Sequence, residues 1–223
     1  MSVYFLVVAT KVCIVNVDKR ALQRLARAPM RTVRAGDIAD LYAHPGPELS
    51  LLLRRGVVRR LAHGIYCAVP QEYVGSHTWR PTVEAAAAAI ATALYGDRVP
   101  VLTGLSAARL HRVLPRAISV GYVAVPTQRR ALRMTDDAGE VRFVMRAVAE
   151  LDAVAMATEL GQALVTTAEQ TVLDLGRADP REEDLDAQRA IEALWPQCDL
   201  AVLQEIAGRQ RMRSTLQRIA ASR

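Results

Sequence analysis

Apolar residues recur along the first seventy positions at helical and then at strand spacing. Leu22, Leu25 and Ala26 share one face of a helix that Asp18 is placed to cap and that Pro29 ends near residue 28. Residues 30–34 read as a short extended stretch. A second helix predicted over 36–42 puts Ile38, Leu41 and Tyr42 on one side, and His44-Pro45-Gly46 reads as a turn. Pro47 suits the first turn of a third helix ending at Gly56, with Leu49, Leu52 and Leu53 as its buried stripe. Glu48, Ser50, Leu51, Arg54 and Arg55 are left facing outward. Residues 57–61 and 65–69, joined at Ala62-His63-Gly64 and closed by Pro70, read as a two-stranded hairpin whose first strand alternates imperfectly.

Residues 71–81 are poor in apolar side chains and contain two prolines nearby, so a boundary falls there, with the connecting segment either docked or mobile. Beyond it, an alanine-dominated helix over 83–95 is ended by Gly96, and its small side chains imply close packing against another element. Strands are expected at 99–102, 118–125, 131–134 and 141–145. Thr103 is placed to cap a helix over 104–114, and Thr167 with Gln170 matches a capping box ahead of a helix carrying Val172, Leu173 and Leu175. After Pro180 three helices follow, over 183–195, 199–208 and 209–221.

Helix, short strand, helix, turn, helix and hairpin is the order of a winged helix-turn-helix, whose third helix enters a major groove. The expected fold class is therefore α+β: an N-terminal winged helix-turn-helix followed by a mixed α/β domain with a helical C-terminal end. Its expected units are an extension over 1–16, a DNA-binding domain over 17–75 and a second domain over 76–223.

Charge sharpens this picture. The first 75 residues hold eleven Lys and Arg against five Asp and Glu, while the other 148 hold eighteen of each, so the whole formal net charge of +6 sits in the first third. A segment meant to meet a polyanion is expected to look like this. Arg54, Arg55, Arg59 and Arg60 then flank a duplex backbone, with Ser50 on the same helix and His63 at the hairpin tip. Bidentate Arg contacts to guanine add roughly 1–3 kcal/mol of discrimination each. Winged helices also serve as protein-binding modules, and His63 equally reads as a plain turn residue.

The remaining chemistry is mostly exclusion. Cys13, Cys67 and Cys198 are odd in number and form no CxxC pair, which favours a reducing, cytoplasmic setting over a disulfide framework or zinc site. The apolar opening of residues 1–15 lacks a basic start, is interrupted by Lys11 and is too short to span a bilayer. Ser106 with His111 resembles half of a nucleophile elbow, but the second glycine is missing and five helical steps turn the two side chains apart. No P-loop, dinucleotide fingerprint or paired-histidine spacing occurs, so no cofactor and no metal is expected. Asp174 is expected on the polar face of its helix. The acidic run Asp179, Glu182, Glu183, Asp184 and Asp186 and the basic residues Arg209, Arg211, Arg213, Arg218 and Arg223 are placed to pair across helices or to stay solvated, and the basic tail is equally placed to contact nucleic acid or an acidic protein surface.

Three segments carry a resemblance. LLRRGVVRRLAHGIYCAVP (52–70) resembles the wing of AbiEi-type antitoxins, VLTGLSAARLHRVLP (101–115) is similar to their "SAl.lHgl" helix, and TTAEQTVLDLGR (166–177) to their "vt..eqTllDl" segment. The last 45 residues match no such pattern. The resemblance implies a winged domain that binds the operon's own promoter and a second domain that neutralises a co-encoded toxin of nucleotidyltransferase fold, with no membrane partner. Carried over residue by residue, the DNA-facing set is Ser50, Arg54, Arg55, Arg59 and Arg60. The oligomeric state is open, including a monomer that binds repeats cooperatively. Two alternatives stay beside this reading: an enzyme, such as an atypical protein kinase or nucleotidyl-transferring modifier, that inactivates the toxin covalently, and a stand-alone winged-helix regulator.

Overall fold

The computed structural model describes residues 19–42, 44–177 and 185–222. The expected extension over 1–16, the cap at Asp18 and the acids Asp179, Glu182, Glu183 and Asp184 lie outside these residues. The described chain is α+β, with eight α-helices and two sheets. None of its helices is long and apolar enough to cross a membrane.

The first seventy residues give α1 (Lys19–Arg27), β1 (Thr32–Arg34), α2 (Pro45–Arg54), β2 (Val58–Ala62) and β3 (Ile65–Ala68). The three strands form an antiparallel sheet in the order β1-β3-β2. The helix expected over 36–42 is reduced to a 3₁₀ turn, Ala35–Ile38, while Leu41 and Tyr42 still pack on the local core. His44-Pro45-Gly46 begins α2 instead of forming a separate turn, with Pro45 in the first helical turn, where its missing N–H costs nothing. Strand parity divides the sheet. Val33, Val58 and Ala68 face α1 and α2 and pack with Leu25, Ile38, Leu49 and Leu52. Leu61, Ile65 and Cys67 face the other way.

That second face meets α3 (Val83–Tyr95). Residues 84–91 of α3 are all buried, eight in succession, so every side of the helix is covered. One flank receives Met30, Leu61, Ile65 and Cys67; another receives the strands of a six-stranded mixed sheet. This sheet contains β4 (Val101–Leu102), β5 (Val120–Val125), β6 (Leu132–Arg133), β7 (Glu140–Met145), β8 (Ala153–Thr158) and β9 (Gly161–Thr166), in the order β6-β7-β5-β4-β9-β8. Alanine suits a helix between two sheets because it permits close approach and loses no side-chain rotamer entropy. The approach is close at Gly121 of β5, where an added Cβ would lie 2.4 Å from the Ala87 Cβ.

The segment over 71–81 is docked. Gly75 donates to the Gly56 carbonyl at 3.1 Å, and Gly56, at φ +65°, is so close that a Cβ would sit 3.0 Å from the Gly75 Cα. Tyr73 stacks on Trp79 with centroids 5.7 Å apart. One core thus runs from the first sheet through α3 into the second, and a smaller one lies within residues 21–68.

The remaining helices are α4 (Gly104–Leu110), α5 (Ala168–Gly176), α6 (Leu185–Leu194), α7 (Leu200–Arg209) and α8 (Arg213–Ala221). Val172 and Leu173 of α5 join Leu194, Leu203, Ile206 and Leu216 in a helical core at the C-terminal end. The Thr167 hydroxyl caps α5 by accepting from the Gln170 amide, but the Gln170 side chain is drawn inward and leaves the capping box half made. Asp199 caps α7, accepting from the Ala201 and Val202 amides. The hairpin β8–β9 has no counterpart in the expected strands.

Gly121→Ala is expected to cost about 1–3 kcal/mol through overpacking against Ala87. Gly46→Ala, with nothing within 4 Å and no left-handed φ, is expected to be neutral or slightly stabilising. Thermal melts of the two variants check the contrast.

Candidate nucleic-acid interface

The outer face of α2 follows from its sequence: Leu49 and Leu52 turn inward, so Ser50, Arg54 and Arg55 turn out and are exposed. The Ser50 hydroxyl donates back to the Gly46 carbonyl at 2.9 Å, which steadies its rotamer and leaves oxygen lone pairs facing solvent. Beside α2, Arg60 lies opposite Tyr66 in the β2–β3 pair, on the face that carries α1 and α2. Its guanidinium reaches the Ala62 carbonyl at 3.3 Å and the His63 Nδ1 at 2.9 Å. His63 is exposed at the hairpin tip. Ser50 and Arg54, four residues apart, thus share a helix face, Arg55 follows at the C-cap, and Arg60 with His63 forms a pair on the hairpin.

Arg59 is elsewhere. It lies opposite Cys67, so strand parity sends it to the α3 face. There its guanidinium donates to the His77 carbonyl at 2.8 Å and pairs with Asp136 at 3.0 Å, with 17% of the side chain exposed. Arg80 approaches the same carboxylate at 3.3 Å. Arg59 therefore fastens the first sheet to the docked segment and to the loop before β7. Adjacent arginines on a strand point to opposite faces, so 59 and 60 are not equivalent. The register irregularity between Arg60 and Ala62 obscures that parity by turning both Leu61 and Ala62 toward α3.

The other polar residues singled out by sequence have structural partners. The Ser106 hydroxyl accepts from the Tyr122 amide at 2.8 Å, while His111 Nε2 sits 2.8 Å from the Thr166 carbonyl, so the two serve different backbone groups. Thr103 makes no side-chain cap; its hydroxyl donates to Asp174 at 2.6 Å. Asp174 is a correction to the expected polar face. Its side chain is 5% exposed, accepts from Arg146 at 2.8 Å and from Gln170 at 3.0 Å, and belongs to a buried polar network continuing to Gln210. Glu84 on α3 is the second buried acid, held by Arg109 at 3.1 Å. Among the described residues no cluster of three or more potential metal ligands occurs.

Burial pushes the Cys67 thiol up to about 12, against minor opposing contributions from its backbone hydrogen bond and Arg31. Partial burial, reinforced by Glu169, raises Cys198 to about 12 as well. Both are neutral thiols at ordinary pH and poor nucleophiles. Of the expected pairing between acidic run and basic tail, the described residues show other partners: Asp186 pairs with Arg116, Arg209 with Glu205, and Arg218 donates to the Gly176 carbonyl.

No protein-family model matches this chain, and no curated protein matches it. Among solved structures it is similar to the RV2827C protein from Mycobacterium tuberculosis, with 15% identity, covering 85% of this chain and 70% of that one at a TM-score of 0.49.

Two outcomes are expected. Arg59→Met lowers stability by about 1–3 kcal/mol, because a partly buried charged hydrogen bond is removed, whereas Arg54→Ala stays within about 0.5 kcal/mol; denaturant titration separates them. Cys67 and Cys198 stay unalkylated by iodoacetamide at pH 8 in the native protein and react once it is denatured, as mass mapping would show. Since folding raises the Cys67 pKa above its ordinary value of 9.0, its stabilising contribution is full below about pH 9 and declines toward pH 12.

Proposed function

We propose that residues 19–70 are a winged helix-turn-helix that binds DNA, and that the chain is an antitoxin that represses its own operon and restrains a co-encoded nucleotidyltransferase-fold toxin through the residues after 76. The observation that carries the DNA half is the exposed face of α2. The small sheet has one side against α3 and the other against α1 and α2, so α2 is the helix free to enter a major groove. Ser50 and Arg54 line that helix, Arg55 stands at its C-terminal end, and Arg60 with His63 is placed for the flanking backbone. Arg59 is assigned to the internal clamp and not to DNA.

The antitoxin half rests on resemblance. Two of the three similar segments, 101–115 and 166–177, lie far apart in sequence yet meet through the Thr103–Asp174 and His111–Thr166 hydrogen bonds and the packing of α4 on α5. A resemblance spread over segments that form one piece of core is a more coherent pattern than three scattered matches. The polar groups there are consumed in that packing, which favours neutralisation by contact over catalysis.

The test is binding to DNA taken from upstream of the chain's own gene, measured by fluorescence anisotropy across a salt series. Arg54→Ala and Arg55→Ala together are expected to weaken binding at least tenfold. The slope of log K against log salt is expected to flatten by about 0.9 for each phosphate that is no longer neutralised. Unchanged binding would overturn the assignment. For the second half, equimolar rescue of the toxin with its mass unaltered is the expected result.

A further inference from the structure

The two edges of the six-stranded sheet are built differently. At one, β6 is only two residues long and sits in a segment holding Arg129, Arg130 and Arg133, a short charged edge of the kind that discourages strand addition. At the other, β8 is Ala-Val-Ala-Met-Ala-Thr: six residues, paired with β9 over its whole length, without proline, charge or bulge. Among the described residues no strand pairs with its outer side. Antiparallel pairing uses the backbone groups of alternate residues, so the others aim N–H and C=O outward. Val154 is 44% exposed, and Ala155 and Ala157 are exposed as well.

Charge selects the occupant. From residue 147 to residue 176 the sequence has no Lys, Arg or His, but has Glu150, Asp152, Glu159, Glu169 and Asp174. Glu150 and Asp152 precede β8 and Glu159 follows it, and none of these three makes an ion pair with another described residue. Acids at both ends of the strand disfavour a polyanion such as DNA. They also disfavour a second copy of this chain: the register that pairs the outward-facing Ala155 with its counterpart sets Ala153 opposite Ala157 and Asp152 opposite Thr158 of the copy, with Glu159 next along, so acids of both copies gather at each end. Like charges gathered at both ends of a strand pair oppose its formation.

We propose that β8 is the docking edge for a partner protein, which adds an extended apolar segment flanked by Lys or Arg as a seventh strand. Main-chain hydrogen bonds supply affinity, and the acids at the two ends fix the sign of the flanks. This deepens the reading that the residues after 76 hold a protein partner, and it names the partner's contact chemistry.

The probe is a labelled peptide of alternating valine and threonine with two arginines at each end, and a counterpart with glutamates at the ends, titrated against the full chain. The arginine peptide is expected to bind at least tenfold more tightly and to slow hydrogen exchange at alternate amides within 153–158. Ala155→Lys is expected to weaken it at least tenfold, and Ala155→Ser to leave it unchanged, with DNA binding by both variants reporting that they are folded. Absent binding, equal binding of both peptides, or protection elsewhere would overturn the proposal. So would slow exchange of those amides in the free monomer, which would assign the edge to residues 1–18, or a dimer abolished by Ala155→Lys, which would assign it to a second copy. Toxin binding that survives Ala155→Lys while peptide binding disappears would remove the edge from the toxin interface and leave the antitoxin reading standing.

Discussion

The burial of α3 on all sides is the constraint from which the rest of the arrangement follows. A helix that accepts a sheet on two flanks has no polar face to spare, and residues 84–91 accordingly contain only small or apolar side chains apart from Glu84. That one acid is tolerated because Arg109 meets it, and Arg109 is in turn held by the Leu114 and Pro115 carbonyls. Because the small sheet gives its second side to α3, the first seventy residues are not a bead on a string. Their orientation is fixed by apolar packing and by the Arg59–Asp136–Arg80 cluster, and the outer face of α2 remains exposed.

The same constraint orders the charges. Basic residues near α2 and the hairpin are directed outward, while Arg59 is used internally. The stretch over 147–176 is acidic without a single basic residue. The surface around α2 is thus basic and the surroundings of β8 are acidic. The shared core packs the two sheets into one body.

Much of the architecture was legible because it rests on strong local signals. Residues 83–95 were bounded by composition and Gly96, and the hairpin by Gly64 with its flanking apolar runs. Residues 153–166 gave no such signal: alanine, threonine and glycine neither alternate sharply nor mark a helix, and these strands exist through pairing with each other and with β4. The side of the sheet on which Arg59 lies was readable only with the correct register, which the irregularity at 60–62 hid. Thr103 and Asp174 were misplaced for a related reason. Each suits a local role, as cap and as exposed helix residue, but each finds a stronger partner across the fold, and tertiary hydrogen bonding outweighs local preference.

Calorimetric unfolding of the full chain tests the shared core most directly. A single transition, with calorimetric and van't Hoff enthalpies in agreement, is the predicted result, since the first sheet cannot leave α3 without exposing the apolar surface of both. Two resolved transitions, one of them retained by a fragment ending near residue 75, would contradict the account.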